Sequence, residues 1–401
     1  MSKSIDNIGR ISMLENLLMF FVICISGNPL FIYTESKMLY VVSAALMIAI
    51  CLMKGKRLSS NKFIFWATCS CILFLFQYVL LTSTSINADI NFLLRLYIAF
   101  MTASFFGYKF REVYFKVMVA VCAISIPFYI LQLSGFSVGY EIDRYRSVLV
   151  YNFMHGDRNP GMFWEPGALQ GFIMLVPLFY SDKLKQLWKT HKKGCILLFV
   201  ALLTTQSTTG YITFAAFIFL TVLLNGKMNI ALKGFIITAV IGIFTYAWSQ
   251  DFMGEKIMDE YEEAQTIEAG EASWSRIGAM QVDIFNIKRH PIVGNGFTDE
   301  SRYGILSEYM RGAGNGFSGA INMFGIPFML LFFIGIFRNL TALPIVNRIV
   351  FIFVIILILN GEYMLNYPFF WSLLFIKIPK YERIIGTVNR AQPQRKDTAM
   401  P

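Results

Sequence analysis

The stretch RNPGMFWEPGALQGFIMLVPLFY, residues 158–180, joins a polar turn to a long apolar run. Its second half has the composition of the body of a membrane helix, and Arg158 and Glu165 stand at the mouth of that helix. Apolar runs of roughly 17–25 residues recur along the chain, and each is long enough to cross about 30 Å of hydrocarbon. The stretch therefore predicts a membrane helix that begins beside two charged residues.

The composition of the chain favours a polytopic α-helical membrane protein. Of its 401 residues, 56% are hydrophobic and only 15% are charged, whereas about a quarter of the residues in an ordinary soluble domain are charged. The runs lack the alternating pattern of a membrane β-barrel. We expect an all-α fold with about twelve transmembrane helices in a single domain, residues 1–401. The predicted spans are 14–32, 38–53, 63–82, 90–107, 113–133, 167–181, 194–207, 209–224, 231–249, 316–337, 345–360 and 363–378.

The basic residues are concentrated on one side of this predicted domain. The formal net charge is +10, but most of the 35 Lys and Arg residues lie in loops that face inside when the N-terminus is inside. This distribution follows the positive-inside rule. We therefore expect both termini in the cytoplasm, residues 379–401 as a cytoplasmic tail, and no nucleic-acid partner.

Two predicted outer loops are large: residues 134–166, which contain the opening motif, and residues 250–315. The second loop should be partly helical, because Trp274 and Ile277 begin an apolar stripe at helical spacing and Pro291 should end that helix. Both loops are rich in arginine, the side chain suited to bidentate contact with phosphate. They indicate a phosphate-bearing substrate, with ordinary surface ion pairs as the alternative.

Glu165 permits three interpretations from the residues alone. Pro166 suits the first position of a helix, and a carboxylate at the cap position before it favours the positive end of the helix. A salt bridge to Arg158 is the second interpretation, and a catalytic or acceptor-binding carboxylate is the third. At the level of sequence these three interpretations stay open.

Several short motifs follow one another along the chain: RNPGMFWEPG (158–167), STTGYITFAAFIFL (207–220), WSRIGAM (274–280), HPIVGNGF (290–297) and GNGFSGAINMFGIPFMLLFF (314–333). Their order and their placement around the two outer loops resemble the O-antigen polymerase and ligase superfamily, integral membrane glycosyltransferases that use undecaprenyl-diphosphate-linked glycans. The resemblance covers roughly residues 60–340. It implies a GT-C-like fold in the inner membrane, an active site that faces the periplasm, and catalysis without a cofactor.

The resemblance also implies roles for individual residues. Arg158 and Arg276 match arginine positions of the superfamily in the two outer loops, so they would clamp the diphosphate, with Arg289 as a third cation. A carboxylate or imidazole base would assist the attacking hydroxyl, which makes Glu165 and His290 the catalytic candidates. A helix-ending turn is the alternative interpretation of His290.

The absence of a histidine next to Asn315 favours a polymerase (Wzy-type) over a ligase. Ligases of the superfamily carry a catalytic histidine next to the asparagine that precedes the span after the large loop, whereas residues 313–317 here read AGNGF. We expect Asn315 to bind substrate. The opening motif also departs from the superfamily's Asn-Pro-Asn form, because Glu165 and Gly167 replace its asparagines.

Two alternative functions stay open. One is the ligation of polymer to lipid A-core. The other, of a different class, is a lipid-linked oligosaccharide flippase, which the large predicted outer loops disfavour.

Arg95 lies within a predicted span, where an ionisable side chain lines a cavity or reaches towards the membrane surface. It is therefore a further candidate for substrate binding.

The chain shows no cluster of His, Asp or Glu with metal-ligand spacing, so we expect no metal. The expected partners are the lipid-linked glycan donor and acceptor, membrane lipid and, among proteins, a chain-length regulator.

Overall fold

The computed structural model describes residues 12–32, 37–81, 84–135, 141–142, 145–146, 158–224, 228–249, 253–268, 271–273, 275–310 and 315–378. Apart from a hairpin of two short strands, the regular structure of these residues is helical. The strands, β1 (Glu141–Ile142) and β2 (Tyr145–Arg146), pair antiparallel with Glu141 opposite Arg146. The helices are α1 (Met13–Cys24), α2 (Pro29–Ile32), α3 (Lys37–Met53), α4 (Asn61–Leu80), α5 (Ile86–Phe106), α6 (Phe110–Leu133), α7 (Pro166–Phe179), α8 (Leu184–Thr204), α9 (Thr208–Leu223), α10 (Ile230–Trp248), α11 (Gly254–Thr266), α12 (Arg276–Ile287), α13 (Asp299–Tyr303), α14 (Ser307–Met310), α15 (Gly316–Phe324), α16 (Ile326–Asn339), α17 (Ile345–Gly361) and α18 (Pro368–Trp371).

The all-helical prediction is confirmed, and the apolar helices are compatible with a membrane protein. Two stretches of the described chain are long and apolar enough to cross a membrane: α4, and the run Ile86–Leu133 that contains α5 and α6. A third is obtained if α15 and α16 are counted as one broken span. Shorter apolar helices, among them α1, α7, α9 and α17, accompany these stretches. The number of twelve spans and their orientation stay predictions.

The predicted span 316–337 is not a continuous helix. α15 and α16 meet at Gly325 and differ in direction by 116°. Gly325 has φ 77° and ψ 162°, a conformation essentially restricted to glycine. A Cβ at this position would collide with the carbonyl oxygen of Ile292. The segment that contains Ile292 therefore packs directly against the bend, and the prediction of one straight span is wrong here.

The predicted span 363–378 is also wrong. These residues form two 3-10 turns around the four-residue α18. Trp371, at the end of α18, is fully buried and packs edge-on against Phe92 at 4.9 Å and Phe332 at 5.0 Å between ring centroids. Edge-to-face pairs of buried aromatic rings are favourable beyond the area that they bury. The segment is apolar because it forms part of the protein core.

The break between α1 and α2 receives the opening motif. The Asn28 side chain donates to the carbonyl of Met162 at 2.8 Å, and the Trp164 amide donates to the carbonyl of Gly27 at 3.1 Å. The ring of Phe163 packs so closely on Gly27 that a Cβ there would collide with it. The predicted span 14–32 is interrupted for this reason, and the turn before α7 is fixed against the bundle.

Replacing Gly325 with alanine tests the bend between α15 and α16. This backbone conformation costs a residue other than glycine roughly 1–3 kcal/mol, and the collision with Ile292 adds to it, so the thermal unfolding midpoint of the purified protein should fall. Gly242→Ala in α10 is the matched control, because no atom lies within 4 Å of the added Cβ. Equal midpoints for the two variants would contradict the described bend.

Candidate active site

Four described helices, α7, α9, α12 and α15, begin beside Glu362, the residue that follows α17. A Cβ on Gly167 in α7 would collide with the carboxylate of Glu362, and a Cβ on Gly316 in α15 would collide with its carbonyl oxygen. A Cβ on Gly361, the last residue of α17, would lie 2.7 Å from the Thr209 side chain in α9. Arg276, the first residue of α12, donates to Glu362 at 3.1 Å. Because helix N-termini carry partial positive charge, their convergence favours anions at this point.

Short polar side chains from the sequence motifs determine where these helices start. The Ser207 hydroxyl caps α9 at 3.2 Å, the Ser275 hydroxyl caps α12 at 3.1 Å, and the Asn315 side-chain oxygen caps α15 with two bonds of 3.0 Å. Each oxygen accepts from backbone N–H groups of the first turn, which have no partner within the helix. Pro166 occupies the first position of α7, where its missing N–H costs little.

Two carboxylates share one arginine at the centre of this convergence. Arg276 lies 3.1 Å from Glu362 and 3.6 Å from Glu165, measured from its Nη2 atom to the nearest carboxylate oxygen. The Trp164 indole N–H donates to the other oxygen of Glu362 at 3.1 Å. The Glu362 side chain is 7% exposed, whereas that of Glu165 is 37% exposed. Glu362 therefore anchors the arginine from within the protein, and Glu165 presents its carboxylate to the surroundings.

Further cations stand next to these groups. Lys256 in α11 pairs with Glu260 of the same helix at 3.9 Å. Burial and the nearby Arg276 and Arg158 lower its pKa, while Glu260 and Glu165 raise it. The Arg158 side chain donates to the carbonyl of Thr205, before α9, at 3.3 Å. We call Arg158, Glu165, Lys256, Arg276 and Glu362 the Glu362 cluster.

The protonation of Glu362 follows from its surroundings, which lie outside the membrane-spanning helices. Burial raises the pKa of Glu362, and the neighbouring carboxylate of Glu165 raises it further, while Arg276 and Trp164 act in the opposite direction. The net effect is a pKa well above the ordinary value of 4.5. Although burial lowers the pKa of Arg276, the two carboxylates raise it more. The arginine thus stays charged, and Glu362 releases its proton at a higher pH than an ordinary glutamate does.

Glu165 occupies the cap position of α7, as expected, but its side chain makes no capping hydrogen bond. The carboxylate turns instead to Arg276, which comes from the second outer loop. The structure thus brings together Glu165 and Arg276, two of the residues that the sequence selected, across about a hundred residues of chain. The third, Arg158, lies near enough to Lys256 for its charge to lower the pKa of the lysine.

A second buried polar group attaches α12 to α15. Asp283 in α12, fully buried, accepts from the Ser318 hydroxyl at 2.6 Å, from the Asn322 amide at 2.8 Å and from the Tyr303 hydroxyl at 2.9 Å. Burial raises the pKa of Asp283 although these hydrogen bonds lower it. Because Arg276 is the first residue of the same helix, this attachment also fixes the position of the arginine.

The other predicted site residues lie apart from the cluster or are engaged in the fold. Asn315 is 2% exposed, and besides capping α15 it donates to the side chain of Asn360. Arg289 and His290 follow the far end of α12, about 20 Å from Arg276 at 1.5 Å per residue. Arg289 is exposed there. The guanidinium carbon of Arg95 lies 5.0 Å from the centroid of the Tyr40 ring. No ion pair joins Arg95 to the described residues of the Glu362 cluster.

The sequence reasoning missed Glu362 and Lys256. Glu362 lies in the loop NGEYMLN, residues 360–366, which the hydropathy profile presents only as a short outer connection. The available signal was a single carboxylate at the end of an apolar run, because ionisable residues at membrane helices are usually functional. Lys256 stands in an acidic segment, GEKIMDEYEE, where a paired surface lysine is the ordinary expectation.

The arrangement can bind an anion and accept a proton. Arg276 and Arg158, supported by the helix N-termini, suit phosphate oxygens, and the half-exposed carboxylate of Glu165 can take a proton from a hydroxyl group. Within the described ranges no group of three His, Cys, Asp or Glu side chains could hold a metal ion. The expectation that the reaction needs no metal stays a prediction.

Glu362→Gln tests the buried carboxyl group through pH. The folded protein keeps the Glu362 proton above pH 4.5, where the unfolded chain loses it, so wild-type stability should fall relative to the variant as pH rises. The difference in thermal unfolding midpoint should grow from about pH 4 and level off once the folded carboxyl group has titrated. Glu262→Gln, on the exposed face of α11, is the control and should follow the wild type. A pH-independent difference for Glu362→Gln would contradict the raised pKa.

Comparison of the chain with protein-family models, with curated proteins and with solved structures found no match. The chemistry of the Glu362 cluster is therefore the basis for a functional conclusion.

Proposed function

We propose that the protein is a membrane glycosyltransferase that polymerises repeat units carried on undecaprenyl diphosphate, at the periplasmic face of the inner membrane. The observation that carries this proposal is the pairing of Arg276 with Glu165 and Glu362 where four helix N-termini meet. Such a site combines anion binding with a carboxylate that can accept a proton. The motif resemblance to the O-antigen polymerase and ligase superfamily supports the same reaction class.

The donor diphosphate would bind to Arg276 and Arg158. Both side chains are permanently charged and carry planar forks of N–H groups that match phosphate oxygens. The N-termini of α7, α9, α12 and α15 add partial positive charge at the same place. These groups would stabilise the negative charge that develops on the leaving diphosphate, which is often the largest contribution to catalysis.

The chemical step requires one proton transfer. The acceptor hydroxyl oxygen attacks the anomeric carbon of the donor glycan, and the bond from that carbon to the diphosphate oxygen breaks with both electrons on the diphosphate. The hydroxyl proton passes to Glu165. Positioned bases of this kind contribute roughly 10²–10⁴-fold to the rate. Glu165 suits this role better than Glu362 because it is the more exposed carboxylate of the pair.

Ligation of finished polymer to lipid A-core uses the same bond chemistry and is the alternative reaction. A strain that lacks the gene separates the two on a polysaccharide gel. Loss of a polymerase leaves lipid A-core with a single repeat unit, while loss of a ligase leaves bare core and lipid-linked polymer. Unaltered polymer, attached normally, would contradict both reactions.

Arg276→Lys tests the diphosphate clamp in that strain and in purified protein. Lysine keeps the charge but loses the planar fork, so release of polyprenyl diphosphate should slow by roughly ten- to a hundredfold. Arg289→Lys is the matched control: it lies at the opposite end of the same helix and should leave the rate unchanged. Equal rates for the two variants, at equal amounts in the membrane, would contradict the clamp.

Glu165→Gln tests the proton acceptor. Glutamine keeps the size of the side chain and its position at the start of α7, so the variant should fold, but it cannot take the hydroxyl proton. We expect single-unit product in the cell and a loss of rate of roughly 10²-fold or more. Near-normal polymer from this variant would assign the base to another residue.

A further inference from the structure

An apolar cavity lies between α7, α8 and α9, away from the Glu362 cluster. Its volume is about 530 Å³, within the roughly 300–1,000 Å³ range of ligand sites. Among the described residues, Lys185 is the only charged one that lines it. Ile173 and Pro177 of α7 line the cavity. They come 8 and 12 residues after Glu165 in the chain, so the cavity lies about 12–18 Å further along α7 than Glu165 does.

The α8 wall of the cavity has the features of a segment at a membrane surface. α8 is bent at His191, where φ is −130° and ψ is 42°. Residues 184–190, before the bend, place Leu187 and Trp188 in the cavity wall, and Trp188 is 47% exposed. Tryptophan is enriched at membrane–water interfaces. The bend therefore separates a surface segment from the apolar remainder of the helix.

Four exposed lysines lie on α8, and one of them, Lys185, lines the cavity. Lys185, Lys189, Lys192 and Lys193 are exposed, and none of them forms an ion pair with a described residue. Lys185 and Lys189 are four residues apart, so they lie on the same side of the helix. Unpaired lysines beside an apolar cavity complement a molecule with an anionic head and an apolar tail.

We propose that this cavity binds an anionic phospholipid, with one acyl chain between α7, α8 and α9 and the phosphate at Lys185 and Lys189. Basic residues near a membrane surface attract anionic lipids, and the apolar walls accept the chain without unsatisfied polar groups. The site lies at the end of α7 opposite to Glu165. It is separate from the proposed diphosphate site and does not depend on the proposed reaction.

Fluorescence quenching at Trp188 tests this site in nanodiscs. Phospholipids with brominated acyl chains quench nearby tryptophan, and the signal of Trp188 is obtained by subtracting Trp188→Phe. Brominated phosphatidylglycerol, diluted into unlabelled neutral lipid, should quench Trp188 at a roughly tenfold lower mole fraction than brominated phosphatidylcholine. Equal quenching by the two lipids would overturn the proposal and indicate an ordinary lipid-facing surface or a neutral polyprenyl chain.

Two variants complete the test. Lys185→Gln with Lys189→Gln should abolish the preference for the anionic lipid, whereas the control, Lys54→Gln with Lys56→Gln in the exposed loop after α3, should retain it. Cys195→Phe fills the cavity and leaves the lysines unchanged, so it should weaken quenching by both lipids. An unchanged preference in the first variant, or full quenching in Cys195→Phe, would contradict the site.

Discussion

The buried ion pair between Glu362 and Arg276 is the interaction on which the candidate site depends. A carboxylate that is only 7% exposed is costly unless a cation and hydrogen-bond donors surround it. Arg276 and the indole of Trp164 supply these partners. Since the three residues come from the start of α12, the opening motif and the end of α17, their pairing requires all three segments to be in place. Removing one partner would leave a buried charge uncompensated, which typically costs several kcal/mol.

The glycines of the sequence motifs have a structural explanation in this pairing. Gly167 and Gly316 stand where a Cβ would strike Glu362, and Gly319 stands where a Cβ would strike the ring of Tyr363. These contacts are possible only for residues without a side chain. Gly167, which departs from the superfamily's motif, therefore allows the start of α7 to approach the carboxylate. Close packing brings the helix dipoles near enough to act together, since their effect falls off within the first turn.

Sequence patterns selected Arg158, Glu165 and Arg276, which lie together in the Glu362 cluster, and they predicted the helical fold and the start of α7. They succeeded because helix caps and apolar runs are local signals. They did not reveal Glu362, since its burial depends on segments distant in the chain. The spans 316–337 and 363–378 failed for a related reason: hydropathy does not distinguish a helix in lipid from an apolar segment packed around Trp371, and it does not register the bend at Gly325. The separation of Arg289 from Arg276 followed only once the length of α12 was known.

A structure of the protein in nanodiscs with a non-transferable lipid-diphosphate donor, determined by electron cryomicroscopy, tests the central claim most directly. The account predicts phosphate oxygens within about 3 Å of the guanidinium groups of Arg276 and Arg158, with the first sugar facing Glu165. A diphosphate bound at Arg289 and His290, at the other end of α12, would contradict it.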